Sequence, residues 1–387
     1  MTMSAKRLRL AFRSPGHFAW AVRHVLRASP LGSLDRLLLR GWSFRPQVVT
    51  VNITGRCNLR CEMCMQPRGA GGEGDTATLR AAAGAGRELT PEEWCGVIDR
   101  AASARPAFYF SGGEPLLYRG LDQVLAHVKR RGLIAALVTN GSLLAQHAER
   151  LVEIGVDNVT VSLDGPEAVH DAIRGVPGTF RRAVEGIRAV QAAHRAAGSG
   201  YPALKVNCVI TSASLPTLAE TVAIARELGV DECSLQHPMF DTEENVALHN
   251  RVFGEAMAGR KETGEFYSGR ITEAEYGVLE RTLDRLLAEA RGGSPRLLLF
   301  PPVRRRDWRG YYLDLAHPFP RACRAPWNTM RLLADGTFEP CMRYAVGNVL
   351  ETPLWDLWNG PRMRAFRRTL SREGLFPACA RCCYRCF

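Results

Sequence analysis

Residues 48–64, VVTVNITGRCNLRCEMC, decide how the rest of the chain is read. Six of the first seven are β-branched, as suits a buried strand. Three cysteines follow within eight residues, Cys57, Cys61 and Cys64, spaced CX3CX2C. Downstream, similar runs return at 107–111 (AFYFS), 133–139 (LIAALVT), 157–163 (DNVTVSL), 204–210 (LKVNCVI) and 231–236 (DECSLQ). Helical patterns fill the gaps at 91–104, 120–131, 143–155, 179–197 and 215–229. Thr90-Pro91-Glu92-Glu93 marks one helix start, with a Thr cap, Pro at the first helical position and a capping-box Glu. Strand–helix alternation at this spacing predicts an α/β fold of parallel βαβ units, six of them forming an open, partial (β/α)6 barrel over 48–240.

Composition bounds the alternatives. With 387 residues, 46% hydrophobic and 23% charged, the chain is neither collagen-like, disordered nor a coiled coil. The net charge of +12 sits at the ends. Residues 1–46 hold nine Lys/Arg against Asp35, residues 361–387 hold seven Arg against Glu373, and the middle is slightly acidic. A nucleic-acid binder builds its basic face into the fold, so no nucleic-acid partner is expected. The apolar residues near the start are broken by Arg9, Arg13 and Arg23, so no secretory signal is evident, and no run is long enough to span a membrane. Clustered thiols without an export signal favour metal ligation in a reducing cytoplasm. Within 1–47, Phe18, Val22, Val25 and Leu26 share one side of a basic amphipathic helix, which packs on its own protein or touches anionic lipid peripherally. Residues 67–89 are Gly/Ala-rich and read as a loop, 241–296 as a helical linker, and 297–387 as a second, cysteine-rich module.

Three thiolates on a loop after a strand can bind three irons of one [4Fe–4S] cluster, leaving the fourth iron open to a small chelator. Zinc would need a fourth ligand, and the next Cys or His is Cys95, on a predicted helix. The CX3CX2C spacing resembles the signature of the radical S-adenosylmethionine (SAM) superfamily, and later segments match in order. Ser111-Gly112-Gly113-Glu114-Pro115 follows the second strand, Thr139-Asn140-Gly141 ends the third, and Ser162-Leu163-Asp164-Gly165 ends the fourth, with Arg174 ten residues after Asp164. Each is weak alone; together at successive strand ends, where barrel active sites gather, they reinforce one another. The resemblance covers about 48–240 and implies a TIM-like partial barrel. In it Cys57, Cys61 and Cys64 hold the catalytic cluster. Gly112, Gly113 and Glu114 meet the methionine amino group of SAM, with Asn140 nearby. Ser162 and Arg174 meet its carboxylate or ribose, and Asn207 contacts SAM or substrate. Met63 departs from the aromatic residue common before the third cysteine, and a thioether can fill the same slot.

The last ninety residues carry Cys323-X17-Cys341 and then Cys379-X2-Cys382-Cys383-X2-Cys386, with Asp335-Gly336-Thr337-Phe338 as a hairpin turn before Cys341. With Trp327, Gly336, Pro340, Gly347-Asn348 and Leu357-Trp358-Asn359, this resembles the auxiliary-cluster modules called SPASM and twitch, a small α+β unit. Six cysteines are present where a full SPASM module has seven. The simplest assignment is one auxiliary [4Fe–4S] cluster on Cys323, Cys341, Cys379 and Cys382. Cys383 and Cys386 could replace the last pair, two clusters would need another ligand, and a zinc site is the competing reading. Sulfatase-maturing members carry Asp after the second auxiliary cysteine; Met342 stands here, against their route.

The resemblance implies reductive cleavage of SAM to a 5′-deoxyadenosyl radical, hydrogen abstraction, and oxidation of the substrate with help from the auxiliary cluster. It also implies a flavodoxin or ferredoxin reductant. Few residues precede the barrel and they show no strand pattern, unlike the peptide-binding module of many peptide-modifying members. A small metabolite is therefore expected, such as a sugar, aminocyclitol or lipid-linked precursor, with epimerisation or ribosomal-peptide maturation as alternatives. A non-catalytic zinc-binding or membrane-recruited interaction protein is the alternative of another class. Cys208 and Cys233 are core thiols or, for an epimerase, hydrogen-atom donors; Cys95 is structural. His237 is a substrate base or a polar cap, and Arg304-Arg305-Arg306 a solvated face.

Overall fold

The computed structural model of the chain describes residues 41–64, 87–240, 242–253, 271–290, 293–314, 317, 319, 323–341, 344–379 and 381–382. The expected N-terminal amphipathic helix, the Gly/Ala-rich loop as far as residue 86, Met342, Cys383 and Cys386 lie outside them.

Each apolar run becomes a strand: β1 (Val48–Thr54), β2 (Ala107–Gly112), β3 (Ile134–Thr139), β4 (Asn158–Ser162), β5 (Ala203–Val209) and β6 (Glu232–Gln236). Between them run α1 (Pro91–Ala102), α2 (Leu121–Arg130), α3 (Leu144–Ile154), α4 (Glu167–Arg174), α5 (Thr179–Ala197) and α6 (Leu218–Glu227). The capping box at α1 forms as read, Thr90 accepting from the Glu93 amide and Glu93 from that of Thr90. Only α4 had no counterpart among the predicted helices; its two turns give too little periodicity to detect.

All six strands pair in parallel and in sequence order. Side chains alternate across such a sheet, so one face meets the helices and the other lines the barrel interior. Val49, Val51, Ile53, Phe108, Phe110, Leu137, Val159, Val161, Val206 and Leu235 are buried in the helix-facing core. Cys208 and Cys233 lie in the same core, fully buried, as core thiols.

The sheet does not end at residue 240. After α7 (Glu243–Phe253) and α8 (Glu273–Glu289) the chain adds β7 (Arg296–Phe300), parallel to β6 from Glu232↔Arg296 to Gln236↔Phe300. The run RLLLF between Ser294-Pro295 and Pro301-Pro302 carries that signal, inside the stretch assigned to linker and module. α9 (Trp308–Leu313) and α10 (Ala325–Asn328) lead to β8 (Thr329–Leu332), which pairs in parallel with the far side of β1. The cysteine-rich part is thus built onto the barrel sheet. β9 (Thr337–Phe338) and β10 (Gly347–Asn348) follow antiparallel. The final order is β10-β9-β8-β1-β2-β3-β4-β5-β6-β7, an open sheet with unjoined ends, the partial barrel expected.

The β8–β9 turn uses Gly336 at φ +84°, a conformation glycine adopts without strain. α11 (Leu354–Asn359) and α12 (Pro361–Glu373) close the module. Buried Arg367 on α12 donates to the carbonyls of Pro326 and Gly41 and to Asn359 Oδ1, and its guanidinium lies 4.4 Å from the Trp358 ring centroid. Gly41, the first described residue, thus sits against α12 of the C-terminal module. No helix among the described residues is long and apolar enough to cross a membrane.

Candidate functional site

The cysteine loop leaves β1 at Thr54 and is held from three sides. Glu88 takes the first turn: Thr54 Oγ1 donates to it at 2.5 Å, the Gly55 amide at 3.1 Å, and Arg56 pairs with it at 3.4 Å. The end of β3 takes the middle, where Asn58 donates to Ser142 Oγ and accepts from Asn140 Nδ2, both at 2.9 Å. The C-terminus of α4 takes the far side. Its last carbonyls, on Ile173 and Arg174, accept from the amides of Glu62 and Arg60 at 3.1 Å each. Helix C-termini leave such carbonyls unsatisfied, so a helix too short to announce itself in the sequence supports the loop.

On that loop Cys57, Cys61 and Cys64 are half-buried. Burial pushes the Cys57 thiol up to about 12, and burial also raises Cys61, opposed by the neighbouring Arg174 guanidinium. Thiols so desolvated ionise only against a cation, and the iron of a cluster is the natural one. Arg174 is buried, lies 2.5 Å from the fully buried Asp164, and directs Nη1 at Cys61 Sγ across 3.6 Å. Asp164 in turn accepts from the Val209 amide at 2.9 Å. The structure thus places Arg174 against the cluster loop, where the sequence reading had it on SAM alone.

The Gly-Gly-Glu segment shows why these residue types are needed. A Cβ on Gly113 would lie 2.0 Å from the Arg56 carbonyl oxygen, and one on Gly112, at φ +131°, 2.5 Å from that of Thr54. The Gly113 amide donates to the Thr54 carbonyl at 2.8 Å and the Glu114 amide to the Arg56 carbonyl at 2.7 Å. Close approach of backbone to backbone, not only to a ligand, therefore requires glycine. Glu114 is fully buried and accepts from Thr139 Oγ1 (2.7 Å), the Asn140 amide (2.7 Å) and the Leu116 amide (3.1 Å). Its carboxylate staples the ends of β2 and β3, and burial raises it to about 6. Asn140 anchors Asn58 and accepts from Ser142, so in this geometry Glu114 and Asn140 serve the loop.

Ser162 ends β4, half-buried and in register with Asn207 on β5. Asn207 donates to Gln236 Oε1 at 3.0 Å, and Ser111 to Asn52 Oδ1 at 3.2 Å. Asn52 and Gln236 were not singled out; alternation places both on the interior face, the signal that finds them. His237 is buried rather than poised at the mouth. Its Nδ1 lies 2.6 Å from Tyr312 Oη, and burial lowers it to about 3.

In the second module Cys323, Cys341, Cys379 and Cys382 line one recess of about 580 Å³, counting the space open to solvent, with Thr329, Arg331, Phe366 and Phe376. The Cys379 thiol is pushed well up, by burial first and then by Cys341, Cys323 and Cys382. Among the described residues no three His, Cys, Asp or Glu side chains converge on a single-ion position. Four thiols spread around one recess suit a multi-iron cluster better than one zinc ion, which draws its ligands to about 2.3 Å.

Comparison with known proteins agrees. The model of the radical SAM superfamily matches residues 51–207, and that of an iron-sulfur cluster-binding domain, SPASM, matches residues 323–383. An AdoMet-dependent heme synthase of Methanosarcina barkeri is 34% identical over 88% of this chain and 89% of its own. A pre-heme d1 synthase of Dinoroseobacter shibae is 28% identical over 86% and 79%. The crystal structure of Streptococcus suis SuiB bound to precursor peptide SuiA superposes with a TM-score of 0.61 at 15% identity, over 87% of this chain and 69% of that one. With its cysteine loop, strand-end contacts and four-cysteine recess in place, the chain belongs to the radical SAM superfamily and carries a C-terminal SPASM iron–sulfur domain.

Proposed function

We propose that this radical SAM enzyme oxidises a small-molecule substrate, with the auxiliary [4Fe–4S] cluster as electron acceptor. When bound, the catalytic cluster and SAM supply a 5′-deoxyadenosyl radical able to abstract a hydrogen atom from an unactivated C–H. Cys57, Cys61 and Cys64 would hold that cluster, and Cys323, Cys341, Cys379 and Cys382 the auxiliary one. Asn140, Glu114 and the carbonyl end of α4 fix the cysteine loop, so the site needs little reorganisation on loading. Gly112, Gly113, Ser162, Arg174 and Asn207 remain the proposed SAM and substrate contacts.

One observation carries oxidation: β8, which contributes Thr329 and Arg331 to the auxiliary recess, pairs with β1, which leads into the catalytic cysteines. Two redox centres built on adjacent strands suit electron removal from a substrate radical. Redox-neutral epimerisation instead needs a hydrogen-atom donor at the interior, and Cys208 and Cys233 sit in the helix-facing core. The relatives named for heme and pre-heme d1 synthesis favour a tetrapyrrole over a sugar, aminocyclitol or lipid-linked precursor. A flavodoxin or ferredoxin would supply the reducing electron.

Anaerobically reconstituted full-length protein, SAM and dithionite, offered iron porphyrins, sugars and a precursor peptide in turn, tests this. The expected result is 5′-deoxyadenosine formation stimulated by a porphyrin, yielding a product short of hydrogen. Solvent deuterium incorporated at the abstracted position would overturn oxidation, and stimulation by the peptide alone would overturn the substrate class.

A further inference from the structure

The auxiliary recess holds more than cysteines. Its wall is largely apolar, formed by Ala325, Pro326, Pro340, Phe366, Leu370 and Phe376. Two polar side chains interrupt it, both from β8. Thr329 is 4% exposed, lines the recess, and its Oγ1 is shielded from solvent with no hydrogen-bond partner in the protein. A buried hydroxyl without a partner is costly, so such groups are rare unless a ligand answers them. Arg331, two residues on and therefore on the same face of β8, also lines the recess. It is ion-paired with Glu339, which is 3% exposed and two residues before Cys341. Neither residue belongs to the cysteine pattern.

We infer that Thr329 and Arg331 tune the auxiliary cluster: Thr329 donates its hydroxyl proton as a hydrogen bond to a sulfide of the cluster, and Arg331 supplies the recess with a positive charge whose position Glu339 holds. Cluster potentials follow net charge, hydrogen bonds to sulfur and solvent exposure. Reduction adds an electron, which strengthens a hydrogen bond to sulfur and the attraction of a cation, so both residues favour the reduced form. In a recess with apolar walls these effects are weakly screened. The consequence is a stronger acceptor at the auxiliary site. Thr329 and Arg331 are positioning residues here, acting through the cluster on the reaction.

The test is an EPR-monitored redox titration of the reconstituted full chain, with the catalytic-cluster signal removed by Cys57→Ala, Cys61→Ala and Cys64→Ala. Thr329→Val, nearly equal in volume, is expected to lower the equilibrium constant for auxiliary-cluster reduction about tenfold, which is 59 mV for a one-electron couple. Thr329→Ser restores it. Arg331→Gln moves the potential down as well, Arg331→Lys holds it, and Glu339→Gln moves it up. A structural role alone would not give opposite signs for the two members of one ion pair. Thr329→Ala replaces the valine variant should that one fail to take up iron. An unchanged potential on loss of the hydroxyl, or shifts of the same sign for Arg331→Gln and Glu339→Gln, overturns the assignment.

Discussion

The contact between the Gly-Gly-Glu segment and the cysteine loop makes Gly113→Ala a severe test of how the catalytic site is built. The added Cβ would meet the Arg56 carbonyl oxygen at 2.0 Å and its carbon at 2.6 Å. Ordinary contact begins near 3.4 Å, so the loop and the β2 end must separate by about 1.4 Å. Both neighbours are backbone, so no rotamer change relieves the clash. Arg56 directly precedes Cys57, and the same loop is pinned by Glu88, Asn140 and α4. Overpacking of this kind costs about 1–3 kcal/mol, and a 1 Å misplacement of a reacting group can cost about 100-fold in rate. The expected variant folds, retains auxiliary-cluster iron, and loses at least about 100-fold in SAM cleavage through a lost or distorted catalytic cluster. Iron and sulfide analysis, EPR of the reduced protein and 5′-deoxyadenosine formation report these separately. Gly96→Ala on α1, where the nearest atom is the flexible end of Arg100 at 3.5 Å, is the control and should be neutral or stabilising. Both clusters intact and SAM cleavage within twofold of wild type in Gly113→Ala would refute the close-approach argument.

Asp164→Asn or Arg174→Gln breaks a buried ion pair, and each should cost about 3–5 kcal/mol by leaving the partner charge buried; the double variant should recover part of the loss in a denaturant-unfolding cycle of the metal-free chain. Cys341→Ser should lower iron from about eight to about four per chain while SAM cleavage without substrate persists, since Cys57, Cys61 and Cys64 stand apart from the recess. His237 is held near 3 when folded and titrates near 6.5 when unfolded, so its contribution is complete above pH 6.5 and is lost as pH falls towards 3. Between pH 6.5 and 5 the wild type should lose about 2 kcal/mol more than His237→Gln in urea unfolding, and parallel curves would show that burial does not hold the imidazole neutral.

The strands were legible because seven-residue apolar runs such as Val48–Thr54 admit few other readings, and α1 because Thr90 and Glu93 spell its cap. The first cysteine cluster was legible for a different reason: its CX3CX2C spacing is itself the pattern. What escaped was long-range. Nothing local in Thr329–Leu332 says that it pairs with Val48–Val51 across almost the whole chain, because a parallel partner is chosen by the sheet and not by the strand. RLLLF at 296–300 was assigned to another module because its helix arrived late, after α7 and α8 had replaced a single crossover helix. α4 failed for want of length.

The site residues show a subtler limit. Glu114, Asn140 and Arg174 were found by their order along the chain, yet each spends hydrogen bonds on the cysteine loop: Glu114, through its amide, on the Arg56 carbonyl, Asn140 on Asn58, and Arg174 on Cys61 Sγ and, through its carbonyl, on the Arg60 amide. A motif read from sequence records that a residue is required without recording which neighbour requires it. Here a desolvated loop carrying three thiols needs fixed polar partners before any cofactor arrives, because each buried polar group left unpaired costs about 1–3 kcal/mol. Positions that support the loop and positions proposed to touch SAM therefore share the same strand ends. Substitutions that leave the cluster loaded and alter only SAM affinity are what distinguish them, and Ser162→Ala, which removes a half-buried hydroxyl at the end of β4, is the clean case: SAM affinity should fall while iron content stays at the wild-type level.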